Sequence, residues 1–192
     1  MSNCRVGFVW QSKQHFNRYI EECGIACELV TPHMLAAPFY RGRFNCIIIP
    51  TGFANPAFSN LLPALRAASP RIKQFVEMGG NLLTFGAAVD RPDAYDWLPF
   101  PVTYTHDCHS RKVDCISRSG ADTIIDDYDP SSVECDGSFY AHEAESIGIA
   151  GSTDVIIEKN IGEGRIIVTS IHEFPSRNFL KTFCSSGKES RF

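Results

Sequence analysis

Short apolar runs alternate with segments of helical period through the first 90 residues. The runs predict buried strands at residues 5–10, 27–30, 46–50 and 81–85. Apolar side chains at helical spacing predict helices between them, at residues 13–23, 32–40 and 61–78, the last divided in two by Pro70. This alternation predicts an α/β fold with a flavodoxin-like, doubly wound and mainly parallel sheet.

The second half of the chain has a less regular pattern. Residues 103–108, 112–117 and 133–140 are predicted as strands, and residues 155–159 and 165–170 as a hairpin around Gly162-Glu163-Gly164. We therefore expect a small antiparallel β extension of the sheet and a final helix at residues 178–184. Residues 1–184 are expected to form one domain, followed at residues 185–192 by a polar tail that can be disordered.

The stretch Gly79 to Asp90 carries the clearest functional signal. Its predicted strand runs into a tight turn of small residues, and such turns lie at the carboxyl edge of the sheet, where ligands bind. Backbone N–H groups that open a helix favour anions. We predict that a small carboxylate or phosphate binds to five residues across the cleft: Gly52, Phe53, Gly86, Ala87 and Ala88. The alternative is that these residues are small only because the turn is tight.

Composition and charge exclude several classes of function. The chain has 192 residues, 44% of them hydrophobic, and a formal net charge of −4. The negative charge gives no reason to expect nucleic acid or an anionic membrane as partner. No apolar run approaches the ~20 residues that span a bilayer. The eight cysteines contain no Cys-x-x-Cys pair, and we expect thiols in a cytoplasmic protein.

Three segments, in order, carry a resemblance to a known family. Residues 47–53 are an apolar strand that ends in Pro50-Thr51-Gly52-Phe53, residues 75–88 are a helix, a strand and an elbow, and residues 162–173 are a late hairpin that ends in His172-Glu173. Together they resemble the class I glutamine amidotransferase-like superfamily, including the related domain at the N-terminus of some biotin–protein ligases. The resemblance implies a flavodoxin-like fold and is compatible with a homodimer.

The departures from that family matter for function. Ala88 stands where the family has its nucleophilic cysteine, and a methyl group cannot attack a carbonyl. The resemblance therefore implies a non-hydrolytic binding or regulatory module that keeps the cleft, with glutamine hydrolysis not expected. His172 and Glu173 would be vestigial or repurposed members of the family's catalytic set.

Two alternatives stay open from the residues. The first is an enzyme of different chemistry that uses His172 and Glu173 or a bound metal. Metal-ligand residue types occur between positions 106 and 143, but their spacing matches no standard site, so no metal site is assigned and the cofactor stays unknown. These residues are His106, Asp107, Cys108, His109, Cys115, Cys135, His142 and Glu143. The second alternative is a structural domain whose cleft is filled by Phe53, Tyr95, Trp97 and Phe174.

Overall fold

The computed structural model describes residues 4–172 and 174–192. Its first half alternates strands and helices, in good agreement with the predicted order. The elements are β1 (Arg5–Val9), α1 (His15–Glu22), β2 (Ala26–Val30), α2 (Pro32–Ala36), β3 (Arg43–Phe44), β4 (Cys46–Ile49), α3 (Leu61–Glu77) and β5 (Asn81–Thr84). The α/β character of the prediction is confirmed.

Helix α3 continues through Pro70, so the prediction of two helices was wrong. Proline removes one helical hydrogen bond and strains the preceding turn. Here the buried face runs without interruption on both sides of Pro70, from Leu65 and Ala68 to Ile72 and Phe75. Burial of this face outweighs the local cost of the proline, because packing supplies most of the stability of a helix in a protein.

The second half of the chain is built mainly from strands. Its elements are β6 (Thr103–Arg111), β7 (Asp114–Cys115), a 3-10 helix (Ala121–Ile125), β8 (Val133–Tyr140), β9 (Glu145–Ala150), β10 (Thr153–Ile161), β11 (Gly164–Thr169), α4 (Arg177–Ser186) and β12 (Ser190–Arg191). Strand β9 was not predicted.

The sheet corrects the predicted fold class. Within the described residues it has ten strands, ordered β2-β1-β4-β5-β11-β10-β8-β6, with β9 paired to β10 and β7 to β9. Strands β2, β1, β4, β5 and β11 are parallel, whereas β6 to β10 pair antiparallel. The sheet is strongly curled into a half-barrel. The flavodoxin-like, mainly parallel sheet with a small extension was therefore wrong.

The connections between the strands explain why the sheet is mixed and not mainly parallel. A doubly wound sheet needs a crossover helix after each strand, because parallel neighbours cannot be joined by a short turn. From β5 to β11 no α-helix connects the described strands, and β10 turns into β11 through Gly162. Strand β11 then enters beside β5 and joins the antiparallel half to the parallel half.

The C-terminal residues are part of the folded structure. Strand β12 pairs with β3, and the ring of Phe192 is buried against Phe75 and Tyr40. The polar tail at residues 185–192 thus carries an apolar anchor in its last residue. Among the described residues, every helix is too short or too polar to cross a membrane.

Asn81 offers a test of how α4 is held on the sheet. Its side-chain amide donates to the backbone oxygen of Phe183 at 2.7 Å and contacts Ser186 Oγ at 3.1 Å. We expect Asn81→Ala to lower the free energy of unfolding by about 1–3 kcal/mol, because two hydrogen bonds of a buried amide are lost and each contributes about 0.5–1.5 kcal/mol. Denaturant titration measures this change. The exposed Asn160 on β10 provides the control, and Asn160→Ala should change stability by less than about 0.5 kcal/mol. Equal effects would contradict this role of Asn81.

Candidate functional site

A cavity of about 260 Å³ opens at the carboxyl ends of β1, β4 and β5. Aromatic rings form most of its wall, and a few polar side chains lie among them. The lining residues are Phe8, Trp10, Gln14, His15, Phe16, Pro50, Thr51, Phe85, His172 and Phe174. Ligand pockets are commonly apolar with a few convergent polar groups, which makes this cavity the leading candidate site.

The aromatic wall is held together by ring contacts. Phe174 stacks on Phe16 with centroids 4.7 Å apart and an interplanar angle of 20°. Phe16 in turn makes edge contacts with Phe8 and Phe85, each at 5.6 Å. Helix α1 and the segment after β11 are thereby fixed against the ends of the central strands.

A buried carboxylate orients the histidine at the edge of this cavity. Asp136 lies on β8 with only 2% of its side chain exposed, and its Oδ1 is 2.6 Å from Nδ1 of His172. The ring nitrogen beside a carboxylate is the one that donates, so the proton of neutral His172 lies on Nδ1. The His172 side chain is 47% exposed. Buried Asp136 therefore accepts from His172 and orients its imidazole, while about half of the His172 side chain stays exposed to solvent.

The second oxygen of Asp136 is buried without a hydrogen-bond partner among the described residues. Gly86 makes room for this carboxylate, because a Cβ at that position would lie 2.8 Å from Asp136 Cβ and 3.0 Å from Oδ2. Tyr104 Oη donates to the backbone oxygen of Asp136 at 2.8 Å, and His106 Nδ1 lies 2.7 Å from the same oxygen. Buried polar atoms without a partner are uncommon in proteins, so Oδ2 marks this position as unusual.

Cys108 completes a cluster of three metal-ligand types. Its Sγ, a carboxylate oxygen of Asp136 and a ring nitrogen of His172 all lie within 4.8 Å of one another. Desolvation raises the pKa of the Cys108 thiol, and the negative charges of Asp136 and Glu134 raise it further. The thiol is thus disfavoured as a thiolate although it is exposed.

Of the predicted ligand-binding residues, Gly86 lies against the Asp136 carboxylate. The predicted turn is tight, and Ala88 has a left-handed backbone with φ of 52°. The backbone N–H of Gly52 donates to the oxygen of Gly86 at 2.8 Å. Ala87 is fully buried. Asp136 is therefore in contact with both the elbow at Gly86 and the imidazole of His172.

Other predicted residues lie elsewhere. Phe53 is fully buried and packs edge-on against Tyr95 and Trp97, away from the residues that line the cavity. These three aromatics therefore belong to the core, and Phe174 alone of the four proposed cleft-filling residues lines the cavity. Glu173, the other proposed catalytic residue, lies outside the described residues.

The other residues predicted as candidate metal ligands make separate local contacts. His109 contacts Asp107 at 3.0 Å, and His142 contacts Asp154 at 3.1 Å. Cys135 is buried, and Cys115 Sγ lies 3.8 Å from the backbone oxygen of Asp122. Among the residues that the structure describes, only Cys108, Asp136 and His172 form a group suited to one ion.

Asp136 was missed by the sequence analysis, although the strand that carries it was predicted. The available signal was a carboxylate between Cys135 and Gly137 in a run that also holds Val133 and Phe139. Charged residues are rarely buried in a strand unless they are paired. The partner, however, lies 36 residues away on the segment after β11, and sequence spacing does not identify it.

The comparisons identify a fold but no family. No protein-family model and no curated protein sequence matches the chain. A β-galactosidase from Bacillus circulans sp. alkalophilus is similar in structure, with TM-score 0.55, 13% identity and 96% of this chain covered. A β-galactosidase from Rahnella sp. R3 gives TM-score 0.56 with 12% identity over 95% of this chain. The chain spans about 30% of the length of each of these enzymes.

A cytoplasmic protein of Salmonella typhimurium matches over nearly its whole length. Its TM-score is 0.52 with 14% identity, and the match covers 97% of this chain and 99% of that chain. At these identities the likeness concerns the fold alone. The resemblance to class I glutamine amidotransferases was wrong, because the structural neighbours are β-galactosidases and cytoplasmic proteins and the sheet is a curled half-barrel. The prediction of an amidotransferase-like regulatory module, which depended on this resemblance, was therefore wrong as well.

The reactivity of Cys108 tests the charge at this site. We expect Asp136→Asn to accelerate alkylation of Cys108 by iodoacetamide near neutral pH, because loss of the negative charge lowers the thiol pKa and raises the thiolate fraction. Mass spectrometry of the Cys108 peptide measures the alkylation rate. In the wild type this rate should increase with pH, with a midpoint above the ordinary pKa of a cysteine thiol.

Two controls accompany this experiment. Buried Cys135 should remain unlabelled in Asp136→Asn, which shows that the variant is folded. Glu163→Gln removes an exposed carboxylate that pairs with Lys188, and it should leave the Cys108 rate unchanged. A rate in Asp136→Asn equal to that of the wild type would show that Asp136 does not control the thiol.

Proposed function

We propose that this chain binds a saccharide, with one sugar ring inside the aromatic pocket at the carboxyl ends of β1, β4 and β5. The observation that carries this proposal is the lining of that cavity, in which Trp10, Phe16 and Phe174 face a space edged by His172. The volume of the pocket, about 260 Å³, is just below the ~300–1,000 Å³ common for ligand sites, which favours one ring over an extended chain.

The chemistry of a sugar ring suits this lining. A pyranose has C–H groups on its faces, which pack on aromatic rings, and hydroxyl groups at its rim, which need polar partners. Gln14, Thr51 and His172 supply such partners among the apolar residues. Because Asp136 fixes the donating nitrogen of His172, the other ring nitrogen is an acceptor suited to a sugar hydroxyl.

The proposal concerns recognition and not glycoside cleavage. Most glycosidases use two carboxyl groups on either side of the bond that is broken. The described residues that line the pocket include no carboxylate. Asp136 contacts the lining residue His172 but is itself buried, and this arrangement does not supply the pair of carboxyl groups that the reaction uses.

The structural neighbours support the choice of ligand class. Two of the solved structures described above are named as β-galactosidases, and galactose is therefore the first sugar to test. Their names bear on this chain only as a suggestion of chemistry, since the match covers about 30% of each enzyme. The lining of the pocket provides the independent support.

A cytoplasmic location belongs to the same proposal. The structural neighbour from Salmonella typhimurium described above is labelled a cytoplasmic protein. The cysteines of this chain are free thiols, which suits a reducing compartment.

Tryptophan fluorescence provides the test, because one of the two tryptophans lines the pocket and the other is buried in the core. Trp97→Phe leaves Trp10 as the reporter. We expect its emission to change saturably when galactose, glucose or mannose is added. Phe174→Ala should weaken the affinity by roughly 2–10-fold, as expected for loss of an aromatic stacking contact.

A matched control is Phe39→Ala, which removes an exposed ring outside the pocket and should leave affinity unchanged. A second titration uses benzoate, a planar aromatic acid without sugar hydroxyls. Saturable binding of benzoate with no response to any of the three sugars would contradict the saccharide proposal, and so would equal losses in Phe174→Ala and Phe39→Ala.

A further inference from the structure

We propose that Cys108, Asp136 and His172 form a binding site for a divalent transition metal, with Zn²⁺ as the favoured ion. The inference goes beyond saccharide binding and does not depend on it. One ligand atom from each side chain lies within 4.8 Å of the other two. Thiolate, imidazole and carboxylate are the ligand types that zinc takes in proteins.

The unpartnered oxygen of Asp136 is the independent observation for this site. Asp136 is 2% exposed, and Oδ2 has no hydrogen-bond partner among the described residues. A buried carboxylate oxygen without a partner is costly, and a bound cation would compensate it. The position of the carboxylate is also fixed, because its backbone N–H donates to the backbone oxygen of Ser170 and its backbone oxygen accepts from Tyr104.

The charges around Cys108 favour a cation. Asp136 and Glu134 disfavour the thiolate when no cation is present. A divalent ion reverses this balance, because it binds the thiolate directly and compensates the neighbouring carboxylates. Metal binding therefore releases the thiol proton of Cys108 to solvent, and His172 binds as a neutral imidazole.

The exposed side chains of His172 and Cys108 have room to adjust to an ion held by the buried carboxylate. The 2.6 Å contact between His172 Nδ1 and Asp136 Oδ1 is shorter than the ~3.3 Å between two tetrahedral zinc ligands that bond lengths of about 2.0–2.1 Å require. His172 Nδ1 must therefore move by about 0.7 Å, or the ring must rotate, and the 47% exposure of the side chain leaves room for this. Cys108 is exposed as well.

With three protein ligands, a tetrahedral Zn²⁺ would have its fourth coordination position open to water or another ligand. Three protein ligands and one open position are typical of catalytic rather than structural zinc sites. Because His172 also lines the aromatic pocket, the open position would lie beside that pocket. A saccharide hydroxyl is one group that could reach it.

Cobalt titration tests the site without any sugar. Co²⁺ substitutes for Zn²⁺ and gives a near-ultraviolet charge-transfer band when a thiolate binds it. We expect the wild-type protein to develop this band with one equivalent of Co²⁺ and to lose it when Zn²⁺ is added. Cys108→Ser should abolish the band, and His172→Ala and Asp136→Asn should weaken metal affinity at least about tenfold. Affinity should fall as the pH is lowered, because the thiol must lose its proton.

Matched variants separate this site from other thiols and imidazoles. Cys115→Ser and His109→Ala remove the same residue types outside the cluster and should leave the band unchanged. A wild-type protein that shows no thiolate band at saturating Co²⁺ would overturn the site. A band that survives in Cys108→Ser but disappears in Cys115→Ser would overturn it too.

Discussion

The buried carboxylate of Asp136 is the constraint on which the candidate site depends. A carboxylate removed from water must be compensated, and here one oxygen contacts His172 while the other faces Gly86 without a hydrogen-bond partner among the described residues. Burial of this carboxylate also constrains the residues that surround it. Gly86 must lack a side chain, and Tyr104 must direct its hydroxyl to the backbone of Asp136. Three distant segments of the chain therefore meet at one charged group.

The mixed parallel and antiparallel sheet brings these segments of the chain together. In the parallel half, β5 delivers the elbow at Gly86 to the carboxyl edge, where ligand sites of α/β folds lie. In the antiparallel half, β8 carries Asp136 and β6 carries Tyr104 and Cys108. Strand β11 joins the halves and leads into His172. The antiparallel strands thus supply most of the polar chemistry, and the parallel strands supply the aromatic pocket beside it.

Sequence patterns predicted the local elements better than the site. Apolar runs such as Cys46–Ile49 identify buried strands because every residue in them is covered. The tight turn at Gly86 to Ala88 was also predicted, although its glycine is required by a distant side chain as well as by the turn. Pattern alone does not reveal how strands pair across long loops. The curled mixed sheet and the contact between Asp136 and His172 both depend on such pairing, which explains why a parallel flavodoxin-like sheet was predicted.

Asp136 holds His172 at the edge of the pocket that we propose receives a sugar ring. A crystal structure of the chain soaked with galactose would show whether it does. We expect a sugar ring packed between Trp10 and Phe174, a hydroxyl bonded to His172, and His172 Nδ1 still within hydrogen-bond distance of Asp136. A pocket closed by its own side chains, with His172 turned away from Asp136, would contradict both the saccharide proposal and the role of Asp136.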